Sequence, residues 1–194
     1  MDELDTPKKE ETMTIRDFII EVIKFFVLAL VIVLPIRTYV AQPFIVSGTS
    51  MIPTFEDGEY LIIDELSYHF REPTRGEVII FRYPLDPSKF FIKRLIGLPG
   101  ETVSIKGGEV SITQTDGTTL KLEQPYVKFS RGDSGTKKLG ADEYWVMGDN
   151  RAASSDSRSW GAITRKHIVG AALIRLFPLN TIALLPGTVT YDKK

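Results

Sequence analysis

The sequence contains no cysteine, and this absence removes several kinds of chemistry at once. Disulfide frameworks, cysteine-ligated zinc sites and cysteine nucleophiles are all excluded. Histidine is almost as scarce, because His69 and His167 alone are too few for a histidine-rich metal centre. Neither histidine lies in a motif typical of a Ser-His-Asp triad, although such a triad stays possible in principle. We therefore expect neither a metal ion nor a cofactor.

An excess of positive charge is also missing. Lysine and arginine number 24 against 25 aspartate and glutamate residues, which gives a formal net charge of −1. A nucleic-acid-binding protein normally carries a basic patch or stripe, so we expect no nucleic-acid partner. Hydrophobic residues make up 43% of the 194-residue chain and charged residues 25%, values that are ordinary for a folded domain and argue against global disorder.

One long apolar run is present near the N-terminus, from Phe18 to Val40. Its uninterrupted core, Phe25–Ile36, is short, but with Phe18–Val22 the run reaches the roughly 20 residues that a spanning helix needs. A retained transmembrane anchor over residues 18–40 is favoured, while a cleaved signal peptide and a buried soluble helix stay open. Because lysine and arginine are concentrated before the core, the positive-inside rule predicts a cytoplasmic tail over residues 1–17 and an extracytoplasmic remainder at the cell membrane.

Short apolar stretches separated by glycine, proline, aspartate and asparagine follow this run, and no long helical pattern appears after residue 45. The stretches typical of strands are "EYLIIDEL", "GEVIIFRY", "FFIKRLIG", "ETVSIKG", "EVSITQT", "TTLKLE", "EYWVMGD" and "IVGAALIRLF". We predict a mainly β protein, in which an N-terminal transmembrane helix precedes an all-β, Greek-key or barrel-like domain over residues 41–178. Residues 101–142 are predicted to form a small β-hairpin insertion or flap, and residues 179–194 a C-terminal tail.

Three stretches carry groups that could perform chemistry. "SGTSMIPT", residues 47–54, places hydroxyl groups directly after the apolar run. "FIKRLIGLPGE", residues 91–101, places Lys93 in an otherwise apolar strand, where burial would lower its pKa and make it a competent general base. From periodicity alone, Lys93 could equally snorkel or pair with a carboxylate. "GDNRAASSDSR", residues 148–158, is either a solvated loop or a polar shelf beside a site, and its spacing leaves both open.

In this order, behind an N-terminal apolar segment, the three stretches resemble the type I signal peptidases, membrane-bound serine proteases that remove signal peptides from exported proteins. The resemblance implies a Ser-Lys dyad in which Ser50, directly before Met-x-Pro-Thr, is the nucleophile and Lys93 is its general base. It also implies an endopeptidase that cuts exported preproteins after an Ala-x-Ala-like site. The expected partners are signal peptides and membrane lipid, and we expect a monomer.

The resemblance assigns supporting roles to five further residues. Ser154 would hydrogen-bond the lysine and orient it. Asp156 and Arg158 would brace the site through a salt bridge, and Arg94 with Asp149 would form a second pair of this kind.

The resemblance also implies an oxyanion hole and substrate pockets. The Ser50 N–H would be the first oxyanion donor, and backbone N–H groups near Gly48 the second. Two shallow pockets for small side chains would be lined by four apolar residues, each of which could equally be core packing: Phe44, Val46, Met51 and Ile92. An apolar surface near Phe44 and Phe55 is expected to rest on lipid, and the patch Ile182–Pro186 to dock on lipid or on the domain.

Three other classes of protein remain as alternatives. A membrane-tethered Ser-Lys protease for a restricted set of exported proteins, such as pilin-type precursors, would carry the same motifs. Self-cleaving repressor-type proteins share the dyad and a related β fold, but they carry a DNA-binding domain that the Phe18–Val40 run does not resemble. A non-catalytic, membrane-anchored β binding module would use the polar motifs only as loops.

Overall fold

The computed structural model describes residues 15–35 and 41–191. This part of the chain divides into two units, one that contains the N-terminal helix and one that runs from the first strand to the C-terminal residues. Residues 1–14 of the predicted tail, residues 36–40 of the predicted anchor and residues 192–194 lie outside the described residues.

The N-terminal unit contains helix α1, Ile15–Pro35. Asp17 in its first turn complements the positive end of the helix dipole. Within the described ranges, no helix combines the length and the apolar character needed to cross a bilayer.

The second unit is built on antiparallel β-sheet, which confirms the mainly β architecture behind an N-terminal helix. The strands of its main sheet are β1 Ala41–Ile45, β2 Tyr60–Asp64, β3 Val78–Tyr83, β4 Asp86–Gly97, β9 Glu143–Met147, β10 Ile163–Thr164, β11 Ile168–Phe177 and β12 Ala183–Leu184. They are arranged in the order β1-β2-β11-β3-β4-β9-β10, with β12 paired to β11. A short helix, α2, Ser157–Trp160, lies between β9 and β10.

A second sheet occupies the polar stretch that was predicted to be an insertion. Its order is β7-β6-β5-β8, and its strands are β5 Thr102–Lys106, β6 Glu109–Thr113, β7 Thr119–Lys121 and β8 Gly135–Lys138. Val103 and Ile112 of this sheet pack in one buried cluster with Ile96 and Trp145 of the main sheet. The insertion therefore shares a hydrophobic core with the main sheet.

Strand β4 is central to the second unit because side chains on its two faces pack into different hydrophobic clusters. Phe91 and Leu95 pack in the cluster that contains Phe81 and Val146, whereas Ile92 packs against the cluster that contains Met51. This alternation is what period-2 patterning predicts for a strand that is buried on both faces. A polar side chain at residues 93–97 of β4, here called its inner half, is consequently shielded from water.

Candidate active site

The turn that follows β1 carries Ser50 and is fixed at both ends. Val46 donates its N–H to the Glu59 carbonyl oxygen at 2.9 Å, and Phe55 donates its N–H to the Met51 carbonyl oxygen at 3.0 Å. Met51 and Phe55 are almost completely buried in the core and anchor the turn from below. Ser50 itself remains half-buried and faces a cavity.

Lys93, on the inner half of β4, meets Ser50 across this cavity. Its Nζ donates to Ser50 Oγ at 2.7 Å and to the carbonyl oxygen of Ile92 at 2.9 Å. The residue is only 4% exposed. Burial lowers the pKa of Lys93 from 10.5 to about 8, while the charges of Asp156 and Asp149 oppose this shift. A substantial fraction of neutral amine is therefore available at mildly alkaline pH.

The cavity has a volume of about 470 Å³ and is bounded by the end of β1, the turn that carries Ser50 and residues 89–93 of β4. Phe44, Val46 and Ile92, which were predicted to line substrate pockets, line this cavity. Met51 does not, and this prediction is corrected: its side chain is 1% exposed because the turn after Ser50 directs it into the core. Phe55 is likewise fully buried, so the surface expected to rest on lipid cannot include it.

The predicted pair of Arg94 and Asp149 forms a fully buried, bidentate salt bridge. Arg94 donates from Nε to Asp149 Oδ1 at 2.8 Å and from Nη2 to Asp149 Oδ2 at 2.6 Å, with both side chains 0% exposed. Asp149 also accepts a hydrogen bond of 2.5 Å from the Thr54 hydroxyl. The pair thus joins β4, directly beside Lys93, to Thr54 at the far end of the turn that carries Ser50.

Two contacts between Asn150 and the turn that carries Ser50 were not predicted from the sequence, although the stretch of residues 148–158 was singled out. Asn150 donates its N–H to the Ser50 carbonyl oxygen at 3.0 Å and its side-chain amide to the Thr49 carbonyl oxygen at 3.2 Å. A Cβ atom on Gly148 would lie 2.5 Å from the Ser50 carbonyl oxygen, so glycine is needed for this close approach. Hydrogen bonds to backbone carbonyl oxygens leave no signal in hydrophobic patterning.

Asp156 and Arg158 form the second predicted salt bridge. Arg158 donates from Nε and Nη2 to the two carboxylate oxygens of Asp156, each at 2.8 Å, and Asp156 also accepts the Gly148 N–H at 3.0 Å. Burial raises the pKa of Asp156, but the hydrogen bonds and charge of Arg158 outweigh it and hold this pKa below its usual value. Asp156 therefore carries a negative charge near Lys93 at neutral pH.

Ser154 is positioned differently from its predicted role. Its hydroxyl is buried beside Gly148 and helps to hold down the pKa of the Asp156 carboxyl, whereas the Lys93 amine bonds Ser50 and the Ile92 carbonyl. The predicted hydrogen bond between Ser154 and Lys93 is consequently not made in this structure.

The predicted oxyanion donors differ in availability. No hydrogen bond from the Ser50 N–H is found within the described ranges, so this donor is free to meet a ligand. The Gly48 N–H, by contrast, donates to Asp57 Oδ1 at 2.6 Å. The Gly48 N–H is therefore occupied in this structure.

Comparison with known proteins matches the sequence of this chain to one family. The family model described as "Signal peptidase, peptidase S26" matches residues 19–177. A signal peptidase I from Leptolyngbya laminosa is 39% identical over 182 residues, which cover 89% of this chain and 87% of that protein. One from Bacillus licheniformis is 34% identical over 186 residues, which cover 90% of this chain and 97% of that protein. A crystal structure of a signal peptidase I from Enterococcus faecalis V583 is 27% identical, with a TM-score of 0.45 over 52% of this chain and 97% of that chain. The chain belongs to the signal peptidase family, peptidase S26.

Proposed function

We propose that this protein is a membrane-bound signal peptidase I that cleaves exported preproteins with Ser50 as nucleophile and Lys93 as general base. The observation that carries the proposal is the 2.7 Å contact between Lys93 Nζ and Ser50 Oγ at the wall of an apolar cavity. A lysine that is 4% exposed is costly to keep charged, so its burial favours the neutral form that a base requires.

The reaction follows from this contact. Neutral Lys93 accepts the Ser50 proton while Ser50 Oγ attacks the scissile carbonyl carbon, and the resulting tetrahedral intermediate expels the amine to leave an acyl-enzyme. The ammonium of Lys93 returns the proton to the leaving amine. Lys93 then activates a water molecule, which releases the acyl group and regenerates Ser50.

The developing oxyanion needs hydrogen-bond donors, and the Ser50 N–H is the first. Gly48 is the second donor in this proposal, which requires its N–H to leave Asp57. Gly48 adopts a left-handed φ of +89° with no atom within 4 Å of its added Cβ, so the peptide has room to move. The remaining proposed positioning roles belong to Asp156, Arg158, Arg94 and Asp149.

An extended substrate fits between two strand edges. β1 pairs with β2 on one side, and β9 pairs with β4 only from Arg94 to Gly97, so among the described strands the edge of residues 89–93 has no partner on the β9 side. A peptide that adds its backbone here would point alternate side chains at Phe44, Val46 and Ile92. Two small side chains separated by one residue, as in Ala-x-Ala, match this alternation.

Lipid contact is proposed for an exposed apolar surface on the second unit. Monomeric soluble domains rarely leave such a surface uncovered. Tyr60 and Phe177 stack edge to face on it, with ring centroids 5.8 Å apart. The exposed apolar side chains of this region are Ile45, Tyr60, Leu176, Phe177, Leu179, Ile182, Leu184 and Leu185. Anchoring through residues 18–40, with the N-terminus cytoplasmic and the β unit extracytoplasmic, completes the proposal.

A cleavage assay on matched substrates tests the proposed function. The full chain in detergent is incubated with a secretory preprotein that has an Ala-x-Ala site, and with the same preprotein whose last alanine is replaced by a bulky residue. We expect cleavage after the second alanine of the first substrate and none of the second, read by the mass of the products. Intact preprotein from well-folded enzyme would refute general signal peptidase activity and favour a peptidase of restricted substrates.

A further inference from the structure

The C-terminal segment Pro186–Tyr191, here called the strap, crosses the second unit above the buried salt bridge of the active site. Its exposure alternates, with Gly187, Val189 and Tyr191 half-buried and Thr188 and Thr190 exposed. This period of two is typical of an extended segment with one face packed on a surface. The strap is therefore docked through alternate residues rather than trailing into solvent.

The strap is bound to the core of the site at its start. Arg94 Nη1 donates to the Gly187 carbonyl oxygen and, at 2.8 Å, to the Gly76 carbonyl oxygen. An added Cβ at Gly187 would lie 2.3 Å from the Thr54 methyl carbon, which shows how closely the strap approaches the turn that carries Ser50. The same arginine therefore holds the strap with one nitrogen and Asp149 with the others.

The strap is also bound along its length and at its end. The Val189 N–H donates to the Gly76 carbonyl oxygen at 3.2 Å. Tyr191 packs against the buried cluster of the insertion, and its hydroxyl hydrogen-bonds the Tyr126 hydroxyl at 2.8 Å. The Tyr126 ring in turn lies 3.8 Å from the Arg94 guanidinium carbon. Gly187, Val189 and Tyr191 thus all connect, directly or through one residue, to Arg94.

We propose that the strap is a positioning element for catalysis. It excludes water from the salt bridge between Arg94 and Asp149 and so keeps the two side chains paired. Asp149 and Asn150 then hold the turn that carries Ser50 in its position beside Lys93. Asp149 binds the Thr54 hydroxyl at one end of the turn, and Asn150 binds the Ser50 carbonyl oxygen at the other. Charged hydrogen bonds of this kind are strong only where water is excluded. The strap excludes water from Arg94, which is 0% exposed beneath it.

The proposal rests on the proposed function for its link to turnover, but its structural part can be read independently. Gly76→Ala places a Cβ 1.8 Å from the Val189 carbonyl oxygen and so pushes the strap away. Gly117→Ala is the matched control, because Gly117 has a similar φ, +86° against +94°, and no atom within 4 Å of the added Cβ. Tyr191→Ala removes the end anchor, and Thr190→Ala is its exposed neighbouring control.

Kinetics and hydrogen exchange supply two separate readouts. Misplacement of catalytic groups by about an ångström can cost about 100-fold, so we expect Gly76→Ala and Tyr191→Ala to lower kcat by about 10- to 100-fold. KM should stay within about twofold, because no strap residue lines the substrate cavity. Amide exchange of residues 50–55 should accelerate in both variants, and both controls should behave like the unmodified protein.

A double-mutant cycle separates positioning from general destabilisation. Thr54→Val removes the hydroxyl that links the turn to Asp149 while keeping the side-chain shape. If the strap acts through this link, Gly76→Ala should cost far less kcat in the Thr54→Val background than alone. Fully multiplicative effects, or unchanged kcat and exchange in the strap variants of an active enzyme, would overturn the proposal. Accelerated exchange in an enzyme that cleaves no preprotein would instead support the strap and refute the proposed function.

Discussion

The proposed role of Lys93 as general base predicts how the rate of cleavage depends on pH. With a pKa of about 8, the neutral fraction of this amine is about 9% at pH 7 and about 91% at pH 9. We therefore expect kcat/KM to rise about tenfold between these pH values and then to reach a plateau. With an unshifted pKa of 10.5, the rise over the same interval would be about 100-fold and would continue beyond pH 9.

The assay measures initial rates at substrate concentrations far below KM, from pH 6 to pH 10.5, with a substrate that has no group titrating in this range. Circular dichroism at each pH confirms that the fold is intact. Lys93→Arg is the control, because a guanidinium keeps the positive charge but loses no proton in this range. A unit slope that continues past pH 10, or a midpoint near that of histidine, would refute the role of a buried lysine as the base.

Four further predictions test other parts of the account. Lys93→Met should raise the free energy of unfolding at pH 7 by about 1–3 kcal/mol. The reason is that the lowered pKa of Lys93 makes the unfolded state bind more protons than the folded state between pH 8 and 10.5. In chemical denaturation this gain should shrink as the pH rises through that window, and a loss of stability at pH 7 would contradict the prediction. Asp149→Asn should lower the free energy of unfolding by about 3–5 kcal/mol, because it leaves the Arg94 charge buried and unpaired; a loss below 1 kcal/mol would show that the pair is solvated. Gly148→Ala should reduce kcat and lower the free energy of unfolding by about 1–3 kcal/mol. The added Cβ would lie 2.2 Å from Ser154 Oγ and would displace the Ser50 carbonyl. Unchanged kinetics would mean that the neighbouring groups move aside without affecting Ser50. Zinc chelators should leave the cleavage rate unchanged, and a strong loss reversed by added metal would point to a metal-dependent reaction.

Much of the fold was predictable because the information is local. The strand that carries Lys93 alternates between two apolar faces, so its burial and its two-sided packing follow from period-2 patterning. The strands that were not predicted lack this signal. Pro43 interrupts β1, which is an edge strand where proline is tolerated, and β8 is exposed along its whole length.

The candidate site was predictable in its residues more than in its contacts. Ser50, Lys93 and the pair of Arg94 and Asp149 come together although 43 and 55 positions separate the partners along the chain, and motif resemblance indicated this. The orientation of individual groups depends on tertiary packing that no short pattern encodes. Gly48 donates to Asp57, and the hydroxyl of Ser154 does not reach Lys93, for this reason.

The strap shows the same limit at the C-terminus. The sequence indicated docking only for the patch Ile182–Pro186, with its target left open between lipid and the domain, and it predicted no more than a C-terminal tail for residues 179–194. The carbonyl of Gly187 and the N–H of Val189 make the contacts, and backbone groups carry no sequence signature. These contacts can be identified only in the folded structure, where Gly76 and Arg94 lie next to the strap.

The most direct test of the dyad compares two pairs of variants in one cleavage assay. Ser50→Ala and Ser47→Ala each remove a hydroxyl from the wall of the cavity, and Lys93→Met and Lys89→Met each remove an amine from it. The account predicts that Ser50→Ala and Lys93→Met abolish preprotein cleavage, whereas Ser47→Ala and Lys89→Met retain most of the activity. Near-normal cleavage by folded Ser50→Ala or Lys93→Met enzyme would contradict it.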